Sequence, residues 1–345
     1  MSAALWSSFA WAMPTITGKP TVDRPQLLAW PRDSASGTPD LSEPTANVLS
    51  DFHAHITRCD LVLSTAGNYH MALKELWPIY LERFGGSIDN WVYTTSPPVA
   101  SDQIANKRLI VGNTTLACAP QVVVAPKGVM ERLQTKGLLA SKPVPLYNTQ
   151  GNVLLVKKGN PKKIRSVWDL ARNDVAVATP NPDAERGSFN VYAESIYEVA
   201  RQDKSVPGRS ADKLFNAIFN SGRPGKWYTG ARIHHREVPW SVAYGRADVG
   251  VLFYHLAMYT VQQFPDQFEI VPLGGSVDQP QQLAGNRSQE HFIAKINGDW
   301  TATQQEATDR LVSAMLSPEF AAILQRHGIV PANSLASMTT KVASE

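Results

Sequence analysis

The stretch LVLSTAGNYHMALKEL, from Leu61 to Leu76, decides the fold class that we predict for this chain. It opens with the apolar run Leu61-Val62-Leu63, passes through small polar residues, and then takes up the apolar spacing of a helix. This order predicts a buried strand, a tight turn and a helix start. The first N–H groups of a helix have no partner within it, so such a turn can hold a small anion. An ordinary connection in an α/β core fits the stretch equally well.

Three further segments repeat the order of strand, polar turn and helix. The second turn, TTSPPVASDQI, follows Trp91-Val92-Tyr93, and the third, TPNPDAERGSFNVYAE, follows a short strand from Val175 to Ala178. The fourth helix start lies in IHHREVPWSVAYG, and it is followed by the apolar run from Val249 to Tyr254. Strands that alternate with helices in this way predict an α/β protein with mostly parallel sheets.

Composition limits the function classes that remain. The chain has 345 residues, 43% of them hydrophobic and 18% charged, and this length favours about two domains. Its net charge of +3 comes from scattered basic residues, so we expect no nucleic-acid partner. No apolar run reaches the roughly 18 residues of a membrane-spanning helix. The sequence lacks the G-x-S-x-G, H-E-x-x-H and G-x-x-x-x-G-K motifs, and we expect neither catalysis nor a cofactor.

Two cysteines and the N-terminal region bear on the compartment. Cys59 and Cys118 are too few for a disulfide scaffold. Their spacing does not decide whether they form a single bridge, and we expect both to be small, partly buried residues. The N-terminal MSAALWSSFAWAM lacks a basic region, so we predict a weak export signal or none. Residues 1–50 are rich in proline and small polar residues, and we predict an extended or disordered arm.

In this order the segments resemble the type II periplasmic solute-binding proteins, and within them the molybdate-binding proteins of ABC transporters. The resemblance covers residues 60–330 and is carried by LSTAGNYHMAL, YTTSPPVASDQI, VLLVKKGNP, ADVGVLFYHLA and SPEFAAILQRHGI. It implies a two-lobed fold with a ligand cleft between the lobes. The first lobe would comprise residues 51–146 and 268–335, the second residues 147–267, and residues 336–345 would form a tail.

The resemblance also implies which residues bind the solute. Asn68 replaces a serine of the family as donor, Ser96 matches a second serine, and backbone N–H groups serve near Ser188 and Val238. The family's tyrosine aligns with Phe253, so Tyr254 takes its role only if the register shifts by one residue. The predicted binding residues are Ser64, Thr65, Gly67, Asn68, Tyr69, Thr95, Ser96, Gly187, Ser188, Glu237, Val238 and Tyr254.

Three functional hypotheses follow. The leading one is a non-catalytic, monomeric, periplasmic or extracellular receptor that captures an oxyanion of the molybdate or tungstate kind for a membrane permease or sensor. The second is a receptor for a metal ion or metalloid, whose ligands would come from His70, His234, His235, His255, Cys118 and Glu237. Adjacent histidines in a strand-like loop point apart, so one of His234 and His235 would be structural. The third is an enzyme descended from the same fold.

Overall fold

A computed structural model describes residues 13–22, 52–54, 61–65, 67–84, 91–94, 101–111, 114–116, 118–205, 207–230 and 233–332. The strands are β1 (Thr21–Val22), β2 (Phe52–Ala54), β3 (Leu61–Thr65), β4 (Trp91–Thr94), β5 (Leu109–Val111), β6 (Thr114–Leu116), β7 (Val122–Pro126), β8 (Val144–Asn148), β9 (Asn152–Lys157), β10 (Val177–Thr179), β11 (Trp227–Thr229), β12 (Val249–Phe253), β13 (Phe268–Val271), β14 (Glu290–Lys295) and β15 (Val330–Pro331). The helices are α1 (His70–Phe84), α2 (Ser101–Ala105), α3 (Lys127–Thr135), α4 (Arg186–Gln202), α5 (Ala211–Phe219), α6 (His234–Ala243), α7 (Tyr254–Gln263), α8 (Ala302–Met315) and α9 (Pro318–Arg326).

Two large sheets form the two lobes of an α/β fold, as predicted. The first lobe is built on a seven-stranded sheet with the order β15-β8-β14-β7-β3-β4-β2, and the second on a six-stranded sheet with the order β1-β11-β10-β12-β9-β13. Parallel strands lie around β3 and β10, whereas β8, β9 and β14 run antiparallel to their neighbours. The prediction of mostly parallel sheets was therefore wrong, because the strands next to the lobe crossings enter their sheets in the opposite direction.

Strands β3 and β12 are buried along their whole length, as their continuous apolar runs predict. Gly250 in β12 lets α6 approach the sheet closely. A Cβ atom at this position would lie 2.4 Å from Cγ1 of Val238. A larger residue would push α6 away from the sheet, so this glycine helps to fix where the N-terminus of α6 lies.

Two boundaries differ from the predicted domain limits. Strand β13 pairs antiparallel with β9 of the second lobe, although residues from 268 onward were expected in the first. Its residues alternate between buried and half-buried, which suits the edge beside β9. Thr21–Val22, from the predicted arm, pairs with β11, and Asn220 Oδ1 accepts the N–H of Thr17 at 2.7 Å. We therefore propose that the second lobe extends to Val271 and includes part of the arm.

The segments that cross between the lobes are tied together by side chains. The N–H of Asn152 donates to Asn286 Oδ1 at 2.8 Å, and Asn286 Nδ2 donates back to the carbonyl of Asn152 at 2.9 Å. Asn152 Nδ2 also donates to Ser195 Oγ at 2.6 Å, which anchors the crossing on α4. Because these groups are buried, losing one partner would leave the others unsatisfied, and the junction is held firmly.

Cys118 is buried and disulfide-bonded, and the sequence contains one other cysteine, Cys59. The sequence left a bridge open, and the structure shows Cys118 both buried and oxidised. An oxidised sulfur does not offer the thiolate that a metal ion binds, so Cys118 is not a metal ligand. None of the helices in the described ranges is both long and apolar enough to cross a membrane.

Candidate functional site

A hydrogen bond joins the two lobes at the N-termini of α1 and α7. Nε2 of His255, the second residue of α7, lies 2.5 Å from the carbonyl oxygen of Asn68, in the turn before α1. A carbonyl only accepts, so Nε2 carries the hydrogen and donates it. Burial lowers the pKa of His255 to about 3, although the bond to Asn68 opposes this shift. His255 is therefore neutral at physiological pH and connects the lobes as a donor.

A second contact brings α1 and α6 together. His70, the first residue of α1, stacks on His235 of α6 with ring centroids 5.1 Å apart and an interplanar angle of 26°. The edge of Tyr259 from α7 packs on the His70 ring at 5.0 Å. Both histidines are buried. The N-termini of helices from the two lobes thus face each other, as expected for a ligand cleft.

The N-terminus of α6 is occupied by a carboxylate from the third loop. Glu185 precedes α4, and its Oε2 accepts the backbone N–H of His234 at 3.0 Å while Oε1 lies 2.6 Å from His234 Nδ1. The positive end of a helix dipole favours such a negative group. Sequence reasoning did not select Glu185; its position directly before a predicted helix was the available signal. Arg236, on the same turn of α6, is also buried and adds a permanent positive charge.

The predicted first-loop residues are all buried, but they make different contacts. Thr65 Oγ1 donates to the hydroxyl of Tyr69 at 2.8 Å, so these two groups satisfy one another. Burial raises the pKa of Tyr69 far above its usual range, so the phenol stays protonated. Ser64 lies in the sheet opposite Thr94 and Val123. Gly67 and Asn68 form the turn itself, and Asn68 is the residue that reaches the other lobe.

The third loop lies within the described residues, whereas part of the second loop does not. Thr95 and Ser96 lie outside the described residues, so their role stays a prediction. Gly187 and Ser188 lie on the first turn of α4, directly after Glu185, and both retain some exposure. Their backbone N–H groups therefore belong to the end of the helix where donors lack intrahelical partners.

The fourth helix begins earlier than predicted. Helix α6 starts at His234, so Val238 lies in its second turn, where the backbone N–H is used by the helix itself. The expected helix start near Val238 was therefore wrong. Successive helical residues are rotated by about 100°, so His234 and His235 do not point apart as they would in a strand. Glu237 Oε2 accepts the N–H of Ile233 at 2.7 Å, so this carboxylate caps the N-terminus of α6.

Tyr254 does not supply the hydroxyl that a register shift would bring to the cleft. Its hydroxyl donates to the carbonyl of Val277 at 2.8 Å, and its ring packs beside Gly328. Phe253, the residue that aligns with the family's tyrosine, is buried under the ring of Tyr192 at 4.8 Å. Phe253 thus offers an apolar ring and no hydroxyl at this place.

The histidines proposed as metal ligands do not assemble into a metal centre. Across the described ranges no group of three or more His, Cys, Asp or Glu side chains is arranged to hold a metal ion. His234 is engaged by Glu185 and His255 by Asn68, while His70 and His235 stack face to face. The cluster thus organises the cleft through hydrogen bonds and ring packing.

Comparison with known proteins places this geometry in a family. A family model described as bacterial extracellular solute-binding protein matches residues 61–330. The thiosulfate-binding protein of Escherichia coli (strain K12) is 28% identical over 98 residues, and this match spans 28% of each chain.

Solved structures share the fold at low sequence identity. The sulfate-binding protein SubI from Mycobacterium tuberculosis H37Rv has a TM-score of 0.56 and 17% identity, covering 83% of this chain and 91% of that one. Peb3 from Campylobacter jejuni has a TM-score of 0.50 and 17% identity, covering 78% and 99%. The two lobes, the helix N-termini that meet between them and a family match over most of the sequence agree. The chain belongs to the bacterial extracellular solute-binding proteins.

Proposed function

We propose that this protein is a non-catalytic receptor that captures a small tetrahedral oxyanion between its lobes and delivers it to an ABC-type permease or a sensor. The observation that carries the proposal is the meeting of the N-termini of α1, α4, α6 and α7 at one buried place. Backbone N–H groups and aligned helix dipoles at such ends favour anions. The end of α6 already holds the Glu185 carboxylate, so the ends of α1, α4 and α7 would supply the donors to the solute. Because the elements come from both lobes, a solute bound there would be enclosed when the lobes close.

The sequence and its relatives point to different oxyanions. Molybdate and tungstate follow from the resemblance of the sequence, whereas relatives of this chain are named for thiosulfate and sulfate. Asn68 in place of serine and Phe253 in place of tyrosine change the donor set expected for molybdate. We therefore propose the class of tetrahedral oxyanions and treat molybdate and tungstate as its first candidates.

We also propose that the protein works outside the cytoplasm as a monomer. The description of its family is extracellular. The disulfide at Cys118 fits this location, since such bonds persist mainly in oxidising compartments.

Calorimetric titration with molybdate, tungstate, sulfate, thiosulfate and phosphate tests the function. We expect saturable heat with at least one of these anions, and no heat with any of them would refute the proposal. Ser96→Ala and Asn68→Ala should each weaken binding about tenfold, because each removes a predicted hydrogen-bond donor to the anion. Unchanged affinity in a variant would remove that residue from the site.

Ser317→Ala is the matched control for these variants. Ser317 also begins a helix, since its side chain accepts the N–H of Phe320, but α9 lies in the first lobe outside the cleft. This variant should lose some stability and keep the affinity of the parent protein.

A further inference from the structure

The hydrogen bond from His255 to Asn68 is placed to report whether the cleft is closed. His255 follows β12 of the second lobe, and Asn68 follows β3 of the first. Strand β12 and strand β3 belong to different sheets, so this hydrogen bond lasts only while the two lobes stay together. His255 is completely buried in this arrangement. We propose that His255 is a latch that holds the lobes closed and that its protonation in mild acid opens the cleft and releases the solute.

The surroundings of His255 make the closed state unfavourable for a second proton. Burial opposes the charged imidazole, and His291, His234 and His327 are the other titratable groups that oppose it electrostatically. When the lobes separate, water reaches His255 and its ordinary pKa of about 6.5 returns. Acid therefore favours the open form, because the open form binds the additional proton.

The other histidines at the interface have neighbours of their own. His70 and His235 lie face to face, with their rings packed on one another between the lobes. His234 lies beside Glu185, and the buried Arg236 on the same turn adds a fixed positive charge. The latch thus depends on the titration of His255.

The expected size of the effect follows from one imidazole. A group that titrates normally when open and stays neutral when closed changes the closing equilibrium about tenfold between about pH 7.5 and about pH 5.5. The affinity for a solute that needs the closed form should weaken by the same factor. The release of solute rests on the proposed function, whereas the opening of the lobes does not.

Fluorescence energy transfer between the lobes tests the latch without any solute. Dyes would be attached at Gln134→Cys in α3 and Lys213→Cys in α5, two exposed positions on different lobes. Cys118 does not react, because it is disulfide-bonded. We expect a longer distance at about pH 5.5 than at about pH 7.5. An unchanged distance would overturn the proposal.

Two variants of His255 separate titration from hydrogen bonding. His255→Gln keeps a donor near the position of Nε2 but cannot titrate, so it should stay closed at both pH values. His255→Leu has no donor and should be more open at both. Ser317→Ala is the control, since Ser317 caps α9 within the first lobe and should leave the response of the parent intact. Full pH dependence in His255→Gln, or its loss in Ser317→Ala, would also overturn the latch.

Titration with sulfate, whose charge does not change over this pH range, tests release. If sulfate binds, its affinity should fall about tenfold at the lower pH in the parent protein and stay constant in His255→Gln. Equal affinity at both pH values in the parent would refute release. If none of the tested anions binds, the proposed function fails, and the latch is then judged by the distance between the lobes alone.

Discussion

Replacing Glu185 by alanine should convert a helix end that is filled by the protein's own carboxylate into one that accepts an external anion. In the native arrangement both carboxylate oxygens contact His234, at 3.0 Å on the backbone N–H and 2.6 Å on Nδ1. A hydrogen bond to a charged group contributes about 1.5–3 kcal/mol. Part of this gain is offset by the cost of burying the carboxylate. We expect Glu185→Ala to lower the free energy of unfolding by about 3 kcal/mol.

A loss of this size is measurable by thermal unfolding. For a chain of this length about 1 kcal/mol corresponds to about 2 °C, so the melting temperature should fall by about 6 °C. Sulfate should then restore part of the loss, because an anion that binds only the folded state stabilises it by about 2.7 kcal/mol at a roughly hundredfold excess over its Kd. The assay is circular dichroism at increasing sulfate, with chloride at matched ionic strength as the reference.

Sulfate stabilises most proteins because it is excluded from their surface. Glu131→Ala is the control for this general effect. Glu131 is exposed on α3, away from the cleft. The reasoning requires a larger sulfate-induced rise in melting temperature for Glu185→Ala than for the parent or the control. Equal rises in all three proteins would show that the end of α6 does not accept an anion.

Three further predictions concern the stability of the fold. Lys226→Met should lower the free energy of unfolding in urea by about 3 kcal/mol, because the buried ammonium donates to three backbone carbonyls at 2.6–2.7 Å. A loss below about 1 kcal/mol would contradict this prediction. Burial lowers the pKa of His255 and of His291 to about 3, so the unfolded chain binds more protons than the folded chain below about pH 6.5. The free energy of unfolding should therefore fall with acid, by about 2 kcal/mol per histidine at about pH 5. Urea unfolding that is equal at about pH 5 and about pH 7.5 would refute this. Reduction of the disulfide at Cys118 by dithiothreitol should cost about 2–4 kcal/mol, and an unchanged urea midpoint would count against it.

Local patterns in the sequence predicted many elements of the fold correctly. The apolar runs of β3 and β12 become buried strands, and a helix follows each of the polar turns that the structure describes. Such features depend on residues near each other in the chain, where periodicity and helix-capping preferences operate. The fold class follows from their order, because alternating strands and helices bury their apolar faces in few ways.

The contacts that build the site could not be predicted in this way. Asn68 and His255 are separated by 187 positions, and Glu185 and His234 by 49. No local pattern links residues so far apart, and the sequence pointed to Val238 where the helix in fact begins at His234.

Sequence by itself therefore determined that this chain forms buried strands and helices with polar N-termini, because short-range spacing decides which faces are apolar. Only the tertiary structure decided that β13 pairs with β9, that Glu185 covers the end of α6 and that His255 reaches Asn68. The physical reason is that these arrangements depend on how the two sheets pack and how the chain crosses between them. That packing is set by the summed burial of the whole chain.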